Sequence, residues 1–359
     1  MKIGVYEDLP AGGAKVSIDA ICAEISKSHH VAKLKPVNFQ LSTNRIVRDL
    51  QLFFVLPFVF KKYAEEISSD FDFLLVTHDK YFTCPLLLRF SKLPTIYYCQ
   101  EPTRAYFEEF LSVPKTWPLT NQLYEKFNRF WRKRQEISHT KLATAVVCNS
   151  QFSANRITKA YGITPTVVYL GVDTHIFKPS QKPKQQIMCV GNHEPQKNLT
   201  QAIEVVSLID SKIRPPLLIV GPRESNCNEL IKLAKKLKVD LIIKTGLTSS
   251  QMAQEYQKSY LTLAISILEP FGLSVIESLA CETPVVAIAQ GGFLETVVSE
   301  KDGYLCQTSA SMAEKSAHLI THRDVVRKFG RFGRADVVER FSWSQVVKNI
   351  IKVADEITN

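Results

Sequence analysis

Apolar runs the length of a single strand, with no polar residue alternating through them, recur along this chain and are separated by segments of helical periodicity. The first half holds KIGVY, FDFLLVTH, PTIYYC and TAVVCNS; the second holds QIMCVG, PLLIVG, VDLIIKTG, LTLAIS and TPVVAIA. A strand with one wet face alternates apolar and polar side chains. A strand that is apolar throughout is covered on both faces, which requires a parallel sheet between two layers of helices. The pattern appears in both halves, and the 359 residues exceed what one core usually organises. The expectation is an α/β protein of two doubly wound domains.

Between the halves, YLGVDTHIFKPSQKPKQQ sets Pro179 and Pro183 among polar residues with no periodicity, so a linker is expected near residues 175–186, with the two domains facing a cleft. This gives domains 1–180 and 181–341. The last segment, FSWSQVVKNIIKVADEI, expected as a C-terminal helix over 342–359, aligns Val346, Val347, Ile350, Ile351 and Val353 on one side, with Trp343 near its start. It either crosses back to the first domain or packs within the second.

With 45% hydrophobic and 22% charged residues the composition is that of a globular protein and excludes a disordered or fibrous chain. The opening MKIGVYEDLPAGG reads as a strand and a loop rather than a signal peptide. The longest apolar run, LQLFFVLPFVF from Leu50 to Phe60, is interrupted by Gln51 and Pro57 and is shorter than the roughly 18 residues of a membrane helix. Eight cysteines are scattered with no Cys-x-x-Cys pair, mostly in apolar runs, which suits reduced core thiols and a cytoplasmic location.

The net charge of +10 favours acidic partners, but no nucleic-acid-binding motif accompanies it, and none is expected to bind. The charge gathers in two patches. KLAKKLK, Lys232 to Lys238, reads as a solvated helix face. In NRFWRKRQE, Asn128 to Glu136, Phe130 and Trp131 stand among Arg129, Arg132, Lys133 and Arg134, so contact with an anionic membrane surface competes with plain burial of the rings.

In open α/β sheets ligands bind beyond the C-terminal ends of the strands. Gly12 and Gly13 follow the first strand and precede a helix, where backbone amides and the helix dipole can meet a phosphate; a tight turn is the alternative. In CVGNHEPQKNLTQAIEVV, Gly191 ends a strand and Lys197 stands just ahead of a helix, placed to meet developing phosphate charge. In EPFGLSVIESLACETPVVA, two glutamates stand eight positions apart, Glu269 before a Pro-Phe-Gly turn and Glu277 inside the helix that follows.

That last stretch, continued as VVAIAQGG, resembles the Glu-x7-Glu signature of the retaining glycosyltransferases of family four, of GT-B type. VGNHEPQKN, NSQFSANRITKAYGITPTVVYLGVD and the early Gly-Gly turn are similar to that family in the same order, so the resemblance covers nearly the whole chain. YYCQEPTRAYFE is similar to a segment of its mannosyltransferase-like branches. The resemblance implies a GT-B fold, two Rossmann-like doubly wound domains, the first binding the acceptor and the second a nucleotide diphosphate sugar. Glu269 then contacts hydroxyls of the donor sugar, the backbone of Phe271, Gly272 and Leu273 lies near sugar and phosphate, and Glu277 accepts hydrogen bonds from the ribose. Lys197, with the amides of Gly12, Gly13 and the helix after Gly272, stabilises the departing diphosphate.

The implied reaction moves a sugar, mannose first, from a GDP- or UDP-sugar to a saccharide or lipid-linked acceptor. No metal or other cofactor is expected, and no set of side chains has metal-ligand spacing. The basic aromatic patch and the LFFVLPFVF run, both in the acceptor half, add peripheral association at the inner membrane face to the cytoplasmic location expected from the cysteines. Departures from the family pattern are Asn192, where many members carry arginine; Gln100, where histidine is common; and Glu282, in place of a glycine after the helix. Arg104, His78 and His193 are further candidates near the sugar or acceptor. The alternatives are a nucleotide-sugar epimerase and a non-catalytic relative that binds the nucleotide sugar without turnover.

Overall fold

The structure, a computed structural model, describes every residue except Ala11, Ser68, residues 109–112, His193, residues 222–226 and Asn359. The chain divides into two compact units, Met1–Tyr169 together with Val346–Asn359, and Leu170–Gln345. The second unit starts before the boundary expected at 180. The reason is local: Val172 N donates to Phe341 O, and Arg334 donates to the carbonyls of Thr174 and Phe177, so this stretch packs onto the second unit instead of hanging free.

The first unit holds one parallel sheet of β1 (Lys2–Tyr6), β2 (His30–Lys33), β3 (Phe73–Val76), β4 (Thr95–Tyr98), β5 (Ala145–Cys148) and β6 (Thr166–Val167), in the order β2-β1-β3-β4-β5-β6. The second holds β7 (Gln186–Val190), β8 (Leu217–Val220), β9 (Leu241–Lys244), β10 (Ser259–Ala264), β11 (Val285–Ile288) and β12 (Gly303–Cys306), in the order β12-β11-β10-β7-β8-β9. All pairs are parallel, and the doubly wound α/β expectation holds in both units.

Eight of the nine unbroken apolar runs are inner strands; the ninth, VDLIIKTG, is β9 at an edge of the second sheet. Every residue of β3 is 0% exposed, as a strand covered on both faces must be. The strands without such a run are β2, β6 and β12, each at a sheet edge, where cover is incomplete and apolar character is not required.

Each sheet has one place where consecutive strands leave in opposite directions, between β1 and β3 in the first unit and between β7 and β10 in the second. At such a switch point the two following loops diverge and leave a crevice beyond the strand ends. Glu7 to Pro10, Gly12, Gly13 and Thr77 to Phe82 line one; Gly191, Asn192, Glu194 to Lys197 and Ile265 to Leu273 line the other.

Leu50 to Phe60 is helical. It joins the helix Arg45–Leu50 through a π turn, Gln51–Val55, to the helix Leu56–Glu66. This element is held against the long helix Leu119–Thr140 by Asp49, which is 6% exposed. Its carboxylate accepts from Asn128 Nδ2 at 2.9 Å, from Arg132 Nη2 at 2.8 Å and from the Tyr124 hydroxyl. Removing a buried carboxylate strands its partners, so Asp49→Ala is expected to lower stability by about 3 kcal/mol in urea unfolding.

Among the described residues no helix is long and apolar enough to cross a membrane. Among the described residues no cysteine is in a disulfide, and seven of the eight are buried, as core thiols would be.

Candidate functional site

In the second unit, β7 and β10 lie side by side in parallel register, Met188 opposite Thr262 and Cys189 opposite Leu263, so their C-terminal loops start from adjacent points. The loop after β7 passes Gly191 and Asn192 into a short 3₁₀ turn, Pro195–Lys197. The loop after β10 carries Glu269. Ile267 N donates to Gln196 O at 2.7 Å and ties the two loops together.

Lys197 Nζ then reaches Glu269 Oε2 at 2.7 Å. Both side chains keep part of their surface in solvent, 26% and 18%. The sequence assigned these residues separate tasks; the fold makes them an ion pair. Asn198 and Leu268, which flank the pair, are two of the five non-glycine residues with left-handed backbone among those described. Such conformations are uncommon and concentrate where a fold holds a loop for a purpose.

The loop bearing Glu269 is cradled by Gly291 and Gly292. Gly292 N donates to Glu269 O at 2.7 Å. A Cβ on Gly291 would meet that same oxygen at 2.6 Å, and one on Gly292 would meet Pro270 O at 2.5 Å. Sequence reasoning passed over this second Gly-Gly, although it follows a strand in the same way as Gly12-Gly13. Phe271 is 2% exposed and sets its ring edge-on to Phe341 at 5.6 Å, so its side chain belongs to the core. Gly272 has φ 98° and a missing Cβ that would strike the Phe293 ring at 2.8 Å; only glycine fits before the helix Leu273–Ala280.

Glu277, one turn into that helix, is partly buried and accepts a 2.8 Å hydrogen bond from the Tyr256 hydroxyl at Oε2. Burial pushes its carboxyl up from 4.5 to about 7, and the tyrosine bond opposes the shift. Among the described residues, Glu269 therefore has a cation beside it and Glu277 has no ion-pair partner. Tyr256 was not foreseen, since a tyrosine within a helical pattern carries no sequence signal for this contact.

In the first unit, β1, β3 and β4 bring Gly12, Gly13, His78 and Gln100 to the same edge of their sheet. Gly12 and Gly13 are exposed at the start of the helix Gly13–Ile25, and no described atom lies within 4 Å of where a Gly12 Cβ would sit. Packing within the chain therefore does not demand glycine at 12. Burial holds the His78 imidazole down at about 4, so the ring is neutral, and its Nε2 has no partner among the described residues.

Next to it, Asp79 Oδ1 accepts from Tyr81 N and Phe82 N, both at 2.8 Å, while Oδ2 is unpartnered and burial pushes the carboxyl up to about 7. Asp79 lines a polar cavity of about 170 Å³ with Thr83, Arg132, Gln135 and Glu136. Gln100 is partly buried beyond β4. Arg104 Nε donates to Glu101 at 2.9 Å, the ion-pair alternative to an anion site. His193 lies outside the described residues. Glu282 sits after its helix with φ 56°, a conformation glycine would adopt more readily.

Two family models divide the chain: Glycosyltransferase Family 4 matches residues 11–176 and Glycosyl transferases group 1 matches residues 172–336. Among similar proteins, the trehalose synthase of Thermococcus litoralis is 27% identical over 296 residues, 78% of this chain and 69% of that one. The MMP alpha-(1->4)-mannosyltransferase of Mycolicibacterium hassiacum is 26% identical over 302 residues, 80% and 71% of the two chains. In fold, the chain matches sucrose-phosphate synthase from Thermosynechococcus elongatus with a TM-score of 0.78 at 16% identity, covering 99% and 98% of the chains. Anabaena HepE in complex with UDP and glucose gives 0.75 at 17% identity, covering 99% and 100%.

Proposed function

Because this chain belongs to the family-four glycosyltransferases and has their GT-B fold, we propose that its second unit binds a nucleotide diphosphate sugar and that the enzyme transfers the sugar with retention. The observation that carries the reading is the Lys197–Glu269 pair at the β7/β10 switch point, 2.7 Å across. In this reading Glu269 accepts from hydroxyls of the donor sugar and Glu277 from the ribose. The amides of Phe271, Gly272 and Leu273 lie along the diphosphate. Lys197 gives charge to the departing phosphate, with Gly191 and Asn192 beside it.

Transfer breaks the bond from the anomeric carbon to the diphosphate oxygen while an acceptor hydroxyl attacks the same face. Negative charge collects on the leaving phosphate, which a preorganised cation and amides stabilise without reorganisation. The departing phosphate accepts the acceptor's proton, so a separate base is not required, and Lys197 fills the electrostatic role without a metal. In the first unit, the amides of Gly12 and Gly13, at the exposed start of their helix, are offered to an anionic group, and His78 and Gln100 to a sugar. A neutral His78 suits that role as a hydrogen-bond partner, not as a charge.

Mannose is the sugar placed first and GDP-mannose the donor, supported by YYCQEPTRAYFE and by the mannosyltransferase relative. Glucose from a UDP donor is the competitor, supported by the likeness to Anabaena HepE in complex with UDP and glucose. The acceptor is a saccharide or a lipid-linked saccharide.

A panel of UDP-, GDP- and ADP-sugars read by thermal shift tests the reading, with products followed by mass spectrometry. The cognate donor at about a hundredfold excess over its Kd is expected to raise Tm by about 5 °C. Isomerised donor formed without acceptor would replace transfer with epimerisation, binding without turnover would leave a non-catalytic relative, and no shift with any donor would overturn the site.

A further inference from the structure

Two apolar stripes stand exposed on the first unit. Ile46, Leu50, Phe54 and Phe58 repeat every four residues along one helical element, and Leu119, Leu123, Phe127 and Trp131 repeat the same spacing along the long helix. All eight side chains are between 48% and 74% exposed. Each stripe runs about 18 Å. Between them lies a groove of about 970 Å³, walled by Leu50, Phe53, Phe54, Phe127 and Trp131. That volume is at the upper end of the roughly 300–1,000 Å³ of small-molecule sites.

Apolar surface left in water on this scale marks an interaction site. The charges decide its kind. Arg89, Arg134 and Lys141 also line the groove, and none has a carboxylate within ion-pair distance among the described residues. The lining carboxylate, Asp49, already accepts from Tyr124, Asn128 and Arg132. Arg134 lies over the Phe130 ring and Arg89 over the Phe90 ring, but neither charge is neutralised, and an apolar trough edged by such cations complements a hydrocarbon chain that ends in phosphate. Exposed rings beside lysine and arginine are also the make-up of a helix that lies in a bilayer interface.

We propose that this groove seats a hydrocarbon chain of a phosphate-bearing lipid and so docks the first unit on an anionic bilayer. The two stripes enter the acyl region, and Arg89, Arg134 and Lys141 meet the lipid phosphates. The inference deepens the lipid-linked alternative for the acceptor and rests on the transferase reading only there; the docking itself uses no donor-site residue.

The test is flotation of the full chain with vesicles of phosphatidylglycerol and phosphatidylcholine, and with phosphatidylcholine alone. Binding is expected to the anionic vesicles. Phe54→Ser with Phe127→Ser is expected to weaken it at least about tenfold by removing buried apolar surface. Arg134→Gln with Lys141→Gln is expected to weaken it by about fivefold per cation. Phosphatidylglycerol brominated along its chains is expected to quench Trp131 fluorescence, compared against Trp131→Phe, which separates a chain in the groove from charge attraction alone.

Donor-induced thermal shift, measured on every variant, reports that the fold survives. Donor response without flotation overturns this inference and leaves the transferase reading; flotation without donor response does the reverse. Light scattering that shows a dimer dissolved by the Phe54→Ser and Phe127→Ser pair, with no vesicle binding, would give the groove to a second copy and overturn the lipid.

Discussion

Lys197→Ala is expected to lower kcat about 10²–10³-fold, equivalent to about 3–4 kcal/mol of barrier, in a transfer assay with the cognate donor. The lysine touches Glu269 at 2.7 Å across the two switch-point loops, and its charge matters most when the diphosphate departs. An interaction that strengthens in the transition state lowers kcat, whereas a uniform binding contact would raise KM alone. Stability should change little, since a partly exposed ion pair contributes about 0–1 kcal/mol. Glu269→Ala is expected to fall similarly. The double variant should be no worse than the more damaged single one, because the two side chains act as a unit. A Lys197→Ala enzyme with unchanged kcat would remove the proposed leaving-group role.

The second expected result is a donor KM that rises about tenfold as the pH falls from about 8 to about 6, and a flat profile in Glu277→Gln. Burial holds the Glu277 carboxyl at about 7 in the unliganded protein, so it gains a proton across that interval. A protonated carboxyl cannot accept from two ribose hydroxyls as the carboxylate can. Asp79 and Asp302 are also pushed to about 7 by burial, so the assignment rests on the difference between wild type and Glu277→Gln.

Stability moves in the opposite sense. Unfolded, the group ionises near 4.5 and folded near 7, so the folded state retains a proton that the unfolded chain has lost. Ionising it costs stability as the pH rises through that window, and the penalty is complete above about 7. Glu277→Gln should therefore lose donor affinity yet gain in Tm relative to wild type between about pH 5 and about pH 8. A KM profile identical in both proteins would take the ribose role away from Glu277.

Much of this was readable before any coordinates. The runs FDFLLVTH and LTLAIS announce buried parallel strands, because cover on both faces leaves no position for a polar side chain. Edge strands such as HVAK and GYLC lack that constraint and escaped notice. Lys197 and Gly272 could be named from their place at strand ends, because a doubly wound sheet puts every β-to-helix loop on one edge, and Glu269 from the resemblance to the Glu-x7-Glu signature.

Local pattern could not say which loops meet, since that follows from strand order. The order β10-β7 brings residues 197 and 269 within 2.7 Å, and nothing nearby in the sequence encodes that neighbourhood. The same holds for Tyr256 against Glu277 and for Gly292 under Glu269, contacts made by segments distant in the chain. The apolar stretch from Leu50 to Phe60 is the sharpest case. Its composition suits a buried helix as well as an exposed one, and only the packing around Asp49 turned Leu50, Phe54 and Phe58 to solvent opposite Trp131. Side-chain identity fixes what an element is able to bury; the partner it meets fixes what it does bury.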